Sequence, residues 1–162
     1  MRGKVYMIPK IKRVLYTTDL SENSAYAFRY AVNTAEKHDA EIITLHVIEA
    51  IPPAVRAYSI ERDIKLFRTN ALDELSRRLA EFCESELRER PECMKRIKRT
   101  KVEEGYPAEV ILRVADEENC DIIIMGTHGK GIITQTFLGS VAERVLRRTR
   151  KPVFVIPLPP DR

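Results

Sequence analysis

Asp121-Ile-Ile-Ile-Met125-Gly126-Thr-His128-Gly129-Lys130-Gly131-Ile-Ile-Thr-Gln-Thr-Phe-Leu-Gly139-Ser140-Val141-Ala142-Glu143 joins an unbroken apolar run to a glycine-rich stretch and then to a helical pattern. The apolar run is short and mostly β-branched, the composition of a strand covered on both faces, as in a parallel sheet. Glycine leaves main-chain N–H groups approachable because no Cβ stands in front of them. Ser140 with Glu143 three residues on reads as a capping box, with Ser140 as the N-cap. A helix N-terminus carries unpaired N–H donors and a partial positive charge, a seat for phosphate. The stretch therefore predicts a buried strand, a loop that cradles the phosphates of a nucleotide, and a helix.

Working outward, the same alternation recurs along the chain. A strand is expected at 13–18, then a turn through Asp19 to Ser21. Ser21 is placed to N-cap a helix whose apolar face is Ala25, Phe28, Ala31, Val32 and Ala35. Glu41 to Ile48 reads as a second strand, and Pro52-Pro53 marks a loop. Ile64, Phe67, Ala71, Leu72, Leu75, Leu79, Phe82 and Leu87 form the stripe of a long helix over 61–89, stopped by Pro91. The run Arg96–Val102 is polar, as an edge strand shielded by charge would be. Gly105-Tyr-Pro107 opens a helix to about Glu118 with Pro at its first position, and Asn119 is placed to cap its C-terminus. A helix over 140–148 and a strand between Pro152 and Pro157 complete the series, and the tail 158–162 reads as loose.

Strand and helix in alternation argue for one doubly wound, Rossmann-like α/β domain with right-handed crossovers. In such sheets ligands bind beyond the carboxyl ends of strands, where the strand order reverses. Asp19 after the first strand and Gly126 after the fourth would flank one crevice if the order is 3-2-1-4-5.

The bulk numbers bound the function. The 162 residues, 44% hydrophobic and 32% charged, suit one domain with a charged surface. No 18-residue apolar run and no signal-peptide pattern occur, so neither a membrane span nor export is expected. Three cysteines, Cys83, Cys93 and Cys120, show no CxxC spacing, which argues against zinc and disulfides and fits a reducing cytoplasm. The net charge of +4 invites a nucleic-acid reading. However, the basic residues are interleaved with acids except in 95–101 and 144–151, and a solvated surface explains both runs.

Two familiar phosphate motifs fail. Gly129-Lys130 is followed by Gly131 where a Walker A motif needs Ser or Thr. A dinucleotide motif starting at Gly129 would need glycine where Thr134 stands. Gly126-x2-Gly129-x9-Gly139-Ser140 instead resembles the Gly-x2-Gly-x9-Gly-[Ser/Thr] motif of the ATP-binding branch of the universal stress proteins. The resemblance extends through Leu15-Tyr-Thr-Thr-Asp19-Leu-Ser21, Leu45-His-Val47, Gly105-Tyr-Pro107, Asp121–Gly126 and Lys151-Pro-Val-Phe-Val155. It covers nearly the whole chain, so that 1–162 reads as a single domain of this kind.

The resemblance implies a five-stranded parallel sheet with helices on both faces and a homodimer built through the last strand, Val153–Ile156. It implies an adenine nucleotide, ATP or a relative, held with Mg2+ or Mn2+. Carried over by position, Asp19 would bond the ribose or the adenine edge, with backbone of Thr17 and Val47 around the base and Thr18 among the nucleotide-binding residues. Met125, Gly126, His128 and Gly129 would line the ribose and phosphates, and Gly139, Ser140, Val141 and Ala142 would seat the phosphates. Thr17 departs from the proline that relatives often carry there, and Gly131 beside Gly129 is a second departure.

Plainer readings stand beside these. The glycines can serve only a turn, Asp19 can be a turn residue, and His128 and Lys130 can face water. His38 and His46 read as surface or structural, and Cys83 as core. Three function classes follow: a nucleotide-dependent regulatory switch, a slow ATPase or phosphoryl-transfer enzyme, and a dimeric scaffold with no nucleotide. The sequence offers no catalytic base or arginine finger beside the loop, which favours the first.

Overall fold

The computed structural model describes residues 7–49, 61–127 and 138–157. Five strands, β1 (Arg13–Thr18), β2 (Glu41–Glu49), β3 (Ile97–Gly105), β4 (Ile122–Gly126) and β5 (Val153–Ile156), form one sheet. All pairings are parallel and the order is β3-β2-β1-β4-β5, as expected. The helices are α1 (Glu22–His38), α2 (Glu61–Glu86), α3 (Pro107–Glu117) and α4 (Ser140–Arg148).

Side chains alternate across a strand, so neighbouring residues serve opposite faces. Val14, Tyr16, Ile42, Ile122 and Ile124 pack against α1 (Ala27, Phe28, Ala31, Val32, Ala35), against Cys83 near the end of α2 and against Leu87 just beyond it. Leu15, Ile43, Leu45, Ile123 and Met125 pack against α3 (Val110, Ile111, Val114) and α4 (Ala142, Val145). Both faces are thus covered, which is why the buried middles of the central strands, Val14–Tyr16, Ile42–Leu45 and Ile122–Met125, are hydrophobic apart from Thr44. Of the stripe on the long helix, Leu79 is buried and Phe82 half-buried. Ile64, Phe67, Ala71, Leu72 and Leu75 lie outside the described side chains, and Pro52 and Pro53 outside the described residues.

Local signals set most boundaries. Ser21 caps α1, its side chain accepting from the Ser24 amide. Pro107 opens α3, where a missing N–H costs nothing. Asn119 takes a left-handed φ of 51° after α3, so that its amide reaches Asp116 O (3.0 Å) and the Cys120 amide reaches Ala115 O (2.9 Å). That pair closes the carbonyls of the last turn.

Three expectations need correction. On α1 the buried alanine is Ala27, while Ala25 is only half-buried. The long helix ends at Glu86, not 89, and Pro91 opens a 3-10 helix (Pro91–Arg96) where proline is tolerated at the first position. Ser140 is the first helical residue of α4, and Gly139 (φ −72°, ψ 156°) is the N-cap. With the boundary moved by one residue, Ser140 makes no capping bond, and Glu143 pairs with Arg147 (2.8 Å) instead of closing a box.

The polar β3 is indeed an edge strand. Arg96 meets Asp39 (3.0 Å), Lys98 meets Glu41 (2.7 Å), and Arg99 and Lys101 meet Glu118 (3.3 and 3.1 Å). The Lys101 bond holds the Glu118 carboxyl below the usual carboxylate range. In the second basic run Arg147, Arg148 and Lys151 pair with Glu143, Glu109 and Asp116.

Candidate functional site

A parallel sheet whose order reverses between β1 and β4 leaves a crevice at their carboxyl ends, because the crossovers leave in opposite directions. Here that crevice is a cavity of about 160 Å³ lined by Thr17, Thr18, Asp19, Ser24, Leu45, Val47, Pro107, Ile111, Met125, Gly126, Thr127 and Val141. The first turn of α3 supplies Pro107 and Ile111, and α4 supplies Val141. The walls are therefore largely apolar, and among the described lining residues Asp19 is the one that ionises.

Thr17 and Thr18 end β1, opposite Leu45 and His46 of β2. His46 Nδ1 stands 2.7 Å from Thr18 O. A carbonyl only accepts, so Nδ1 carries the proton and cross-links the ends of β1 and β2. His46 is thus structural, as read from the sequence. Beyond Thr18 the chain turns sharply: Leu20 N donates to Thr18 Oγ1 (3.0 Å), and Ser21 N donates to Asp19 Oδ1 (3.1 Å). The turn-residue reading of Asp19 and its place at the cavity are both true.

At the far side, Met125 and Gly126 end β4. Thr127 N continues the ladder to Ile156 O (2.9 Å), and Thr127 O accepts from Gly139 N (2.7 Å). The Gly139 amide, expected at a phosphate, is thus bonded to the chain itself, and this contact ties the two ends of the glycine motif together. The first intrahelical bond of α4 runs from Glu143 N to Gly139 O (2.9 Å). The amides of Ser140, Val141 and Ala142 come before the first turn closes and have no intrahelical acceptor. Ser140 is exposed, Val141 half-buried and Ala142 buried.

Seven sequence-derived site residues thus meet in one cavity: Thr17, Thr18, Asp19, Val47, Met125, Gly126 and Val141. Gly139, Ser140 and Ala142 flank it on α4. His128, Gly129, Lys130 and Gly131 lie outside the described residues. Sequence reasoning missed Ser24, Leu45, Pro107, Ile111 and Thr127. The Gly105-Tyr-Pro107 signal marked the start of α3 but not the direction in which its first turn faces.

The universal stress protein family profile matches residues 10–157. The chain belongs to the universal stress protein family. Universal stress protein MJ0577 of Methanocaldococcus jannaschii is 30% identical over 153 residues, covering 90% of this chain and 94% of that protein. The solved structure of MJ0577 superposes with a TM-score of 0.71 at 29% identity, covering 94% of this chain and all of that one. A universal stress protein solved in complex with cAMP shares the fold with a TM-score of 0.56 at 20% identity, covering 91% of this chain and 98% of that one.

No described helix is long and apolar enough to cross a membrane. Among the described residues, no group of three or more His, Cys, Asp or Glu could hold a metal ion.

Proposed function

We propose that this universal stress protein, acting as a single domain, binds an adenine nucleotide, ATP in the first instance. Its bound and empty forms would present different surfaces, as a dimeric switch in the stress response. The observation that carries the reading is one juxtaposition: an apolar cavity with a carboxylate beside it, next to a helix start whose amides lack intrahelical acceptors. The base enters between Val47, Ile111 and Met125, with main chain of Thr17 and Val47 along its edge. Asp19 bonds the ribose or the adenine edge. The phosphates pass Gly126, and by position His128 and Gly129, to reach the amides of Ser140, Val141 and Ala142.

Magnitudes support this division. Small-molecule pockets typically hold about 300–1,000 Å³, so a cavity of about 160 Å³ takes only part of a nucleotide. Micromolar affinity needs about −8 kcal/mol, while a charge at a helix N-terminus gains about 0.3–2 kcal/mol. Burial of the base in the apolar cavity must add much of the rest. Mg2+ or Mn2+ fits as a companion of the phosphates, since such ions bind through phosphate oxygens and water with few protein ligands.

A binder is favoured over an ATPase because, among the described lining residues, Asp19 alone ionises, and it is held in a turn with no second acid beside it. The dimer would pair through β5; its position at the edge of the sheet and the 46% exposure of Phe154 support this reading. Calorimetry with ATP, together with mass spectrometry of whatever small molecule co-purifies, tests the reading. Asp19→Ala should weaken ATP binding, and no heat with ATP and no co-purified nucleotide would refute it.

A further inference from the structure

Two polar bonds of Asp19 run toward the first turn of α1. Asp19 Oδ1 accepts from Ser21 N (3.1 Å) and from Ser21 Oγ (2.5 Å). The same Ser21 Oγ accepts from Ser24 N (3.3 Å) and caps the helix. A hydroxyl has one proton and two lone pairs. In Ser21 the proton goes to the carboxylate and a lone pair to the helix.

A second layer braces this arrangement. Thr18 Oγ1 donates to Ser24 Oγ (2.8 Å), Ser24 Oγ donates to Ser21 O (2.8 Å), and the buried Tyr16 hydroxyl donates to Ser24 O (2.5 Å). Leu20, between Asp19 and Ser21, takes a left-handed φ of 63°. A bulky residue adopts that conformation only where its surroundings impose it.

We propose that Ser21 is a positioning residue for the nucleotide site, setting the direction of the Asp19 carboxylate and so tying the cap of α1 to ligand affinity. The inference rests on reading the cavity as a nucleotide site. Ser21 does not line that cavity, whereas Asp19 does. Turning the carboxylate about its Cβ–Cγ bond would break both bonds to Oδ1, so Asp19 meets the ligand already oriented. Pre-ordering of this kind raises affinity by removing an entropic cost of binding.

The test is ATP titration calorimetry on Ser21→Ala, Ser21→Asp and Ser21→Thr, with Ser21→Ala repeated in an Asp19→Ala background. Aspartate keeps the capping acceptor but replaces the donor with a second carboxylate. Ser21→Ala and Ser21→Asp should each weaken ATP about tenfold, within the coupling seen inside one hydrogen-bond network. Ser21→Thr keeps both functions and should bind as wild type does. In the Asp19→Ala background Ser21→Ala should add no further loss, and thermal unfolding should show every variant folded at the temperature of the titration.

Wild-type affinity in Ser21→Asp, or an equal loss from Ser21→Ala with and without Asp19, overturns the positioning role while leaving the nucleotide site standing. A wild type that gives no heat with ATP, or an Asp19→Ala variant that binds like wild type, overturns the site reading and this inference with it.

Discussion

Ser140→Asp separates the stability of α4 from its proposed use. Ser140 is the first residue of the helix, is exposed, and makes no capping bond. Its amide and those of Val141 and Ala142 come before the Glu143–Gly139 bond that closes the first turn. A carboxylate at this position gains about 0.3–1 kcal/mol from the terminal field of the helix. No buried side chain is lost, so thermal stability should hold or rise. For a phosphate seated on the same amides, the carboxylate is a competitor. Two unit charges about 4 Å apart interact by about 1 kcal/mol in bulk water and about 4 kcal/mol at the effective dielectric near a protein surface.

Because Ser140 is exposed, the lower part of that range applies, about 1–2 kcal/mol, or roughly fivefold to thirtyfold in Kd. Calorimetry with ATP and with adenosine distinguishes charge from shape. Ser140→Asp should weaken ATP by that factor and leave adenosine unchanged, while the neutral near-isostere Ser140→Asn should alter neither by more than about twofold, the scatter of a surface change. The ATP penalty should shrink with salt, as the Debye length falls from about 8 Å at 0.15 M to about 3 Å at 1 M. Equal weakening of ATP and adenosine, or unchanged ATP binding at low salt, would show that the phosphates do not sit at this helix end.

Gly105 has φ 156°, and a Cβ there would stand 2.7 Å from Val110 Cγ2. Gly105→Ala should therefore cost about 1–3 kcal/mol in urea unfolding, and Val110→Ala should cost less in that background than in wild type; equal costs would place the strain elsewhere. Burial pushes the Cys83 and Cys120 thiols up to about 11, whereas an unfolded thiol ionises at about 8.5. The fold favours the neutral thiol, so this contribution is complete below about pH 8.5 and is lost as pH rises through about 11. The slope should be at most about 1.4 kcal/mol per pH unit for each thiol, reduced in Cys83→Ala and Cys120→Ala, and unfolding curves flat across that window would refute it. Phe154→Glu should convert the proposed β5-paired dimer to monomer by light scattering, and a monomeric wild type would exclude that interface.

The amino-acid sequence alone determined the strands and α-helices of this protein and most of their ends, though not the 3-10 helix Pro91–Arg96. The apolar run Ile122–Met125, the stripe on α1, the Ser21 cap and Pro107 each declare themselves within a window of a few residues, where backbone sterics and side-chain period act. The polar β3 was legible for the same reason, since an edge strand needs charge on its own surface. The glycine spacing with Asp19 pointed to two strand ends facing one crevice.

Only the tertiary structure decided which groups in that crevice are available. The Gly139 amide is taken by Thr127 O, a bond between residues that lie on either side of the glycine motif. The walls Pro107 and Ile111 come from a helix that crosses back over the sheet, and their facing depends on the crossover, not on any local pattern. Whether Gly139 or Ser140 caps α4 turned on where the backbone dihedrals become helical, and a Gly-Ser pair permits either boundary. Local chemistry fixes what a segment can become, and the packing of distant segments fixes which of its polar groups remain for a ligand.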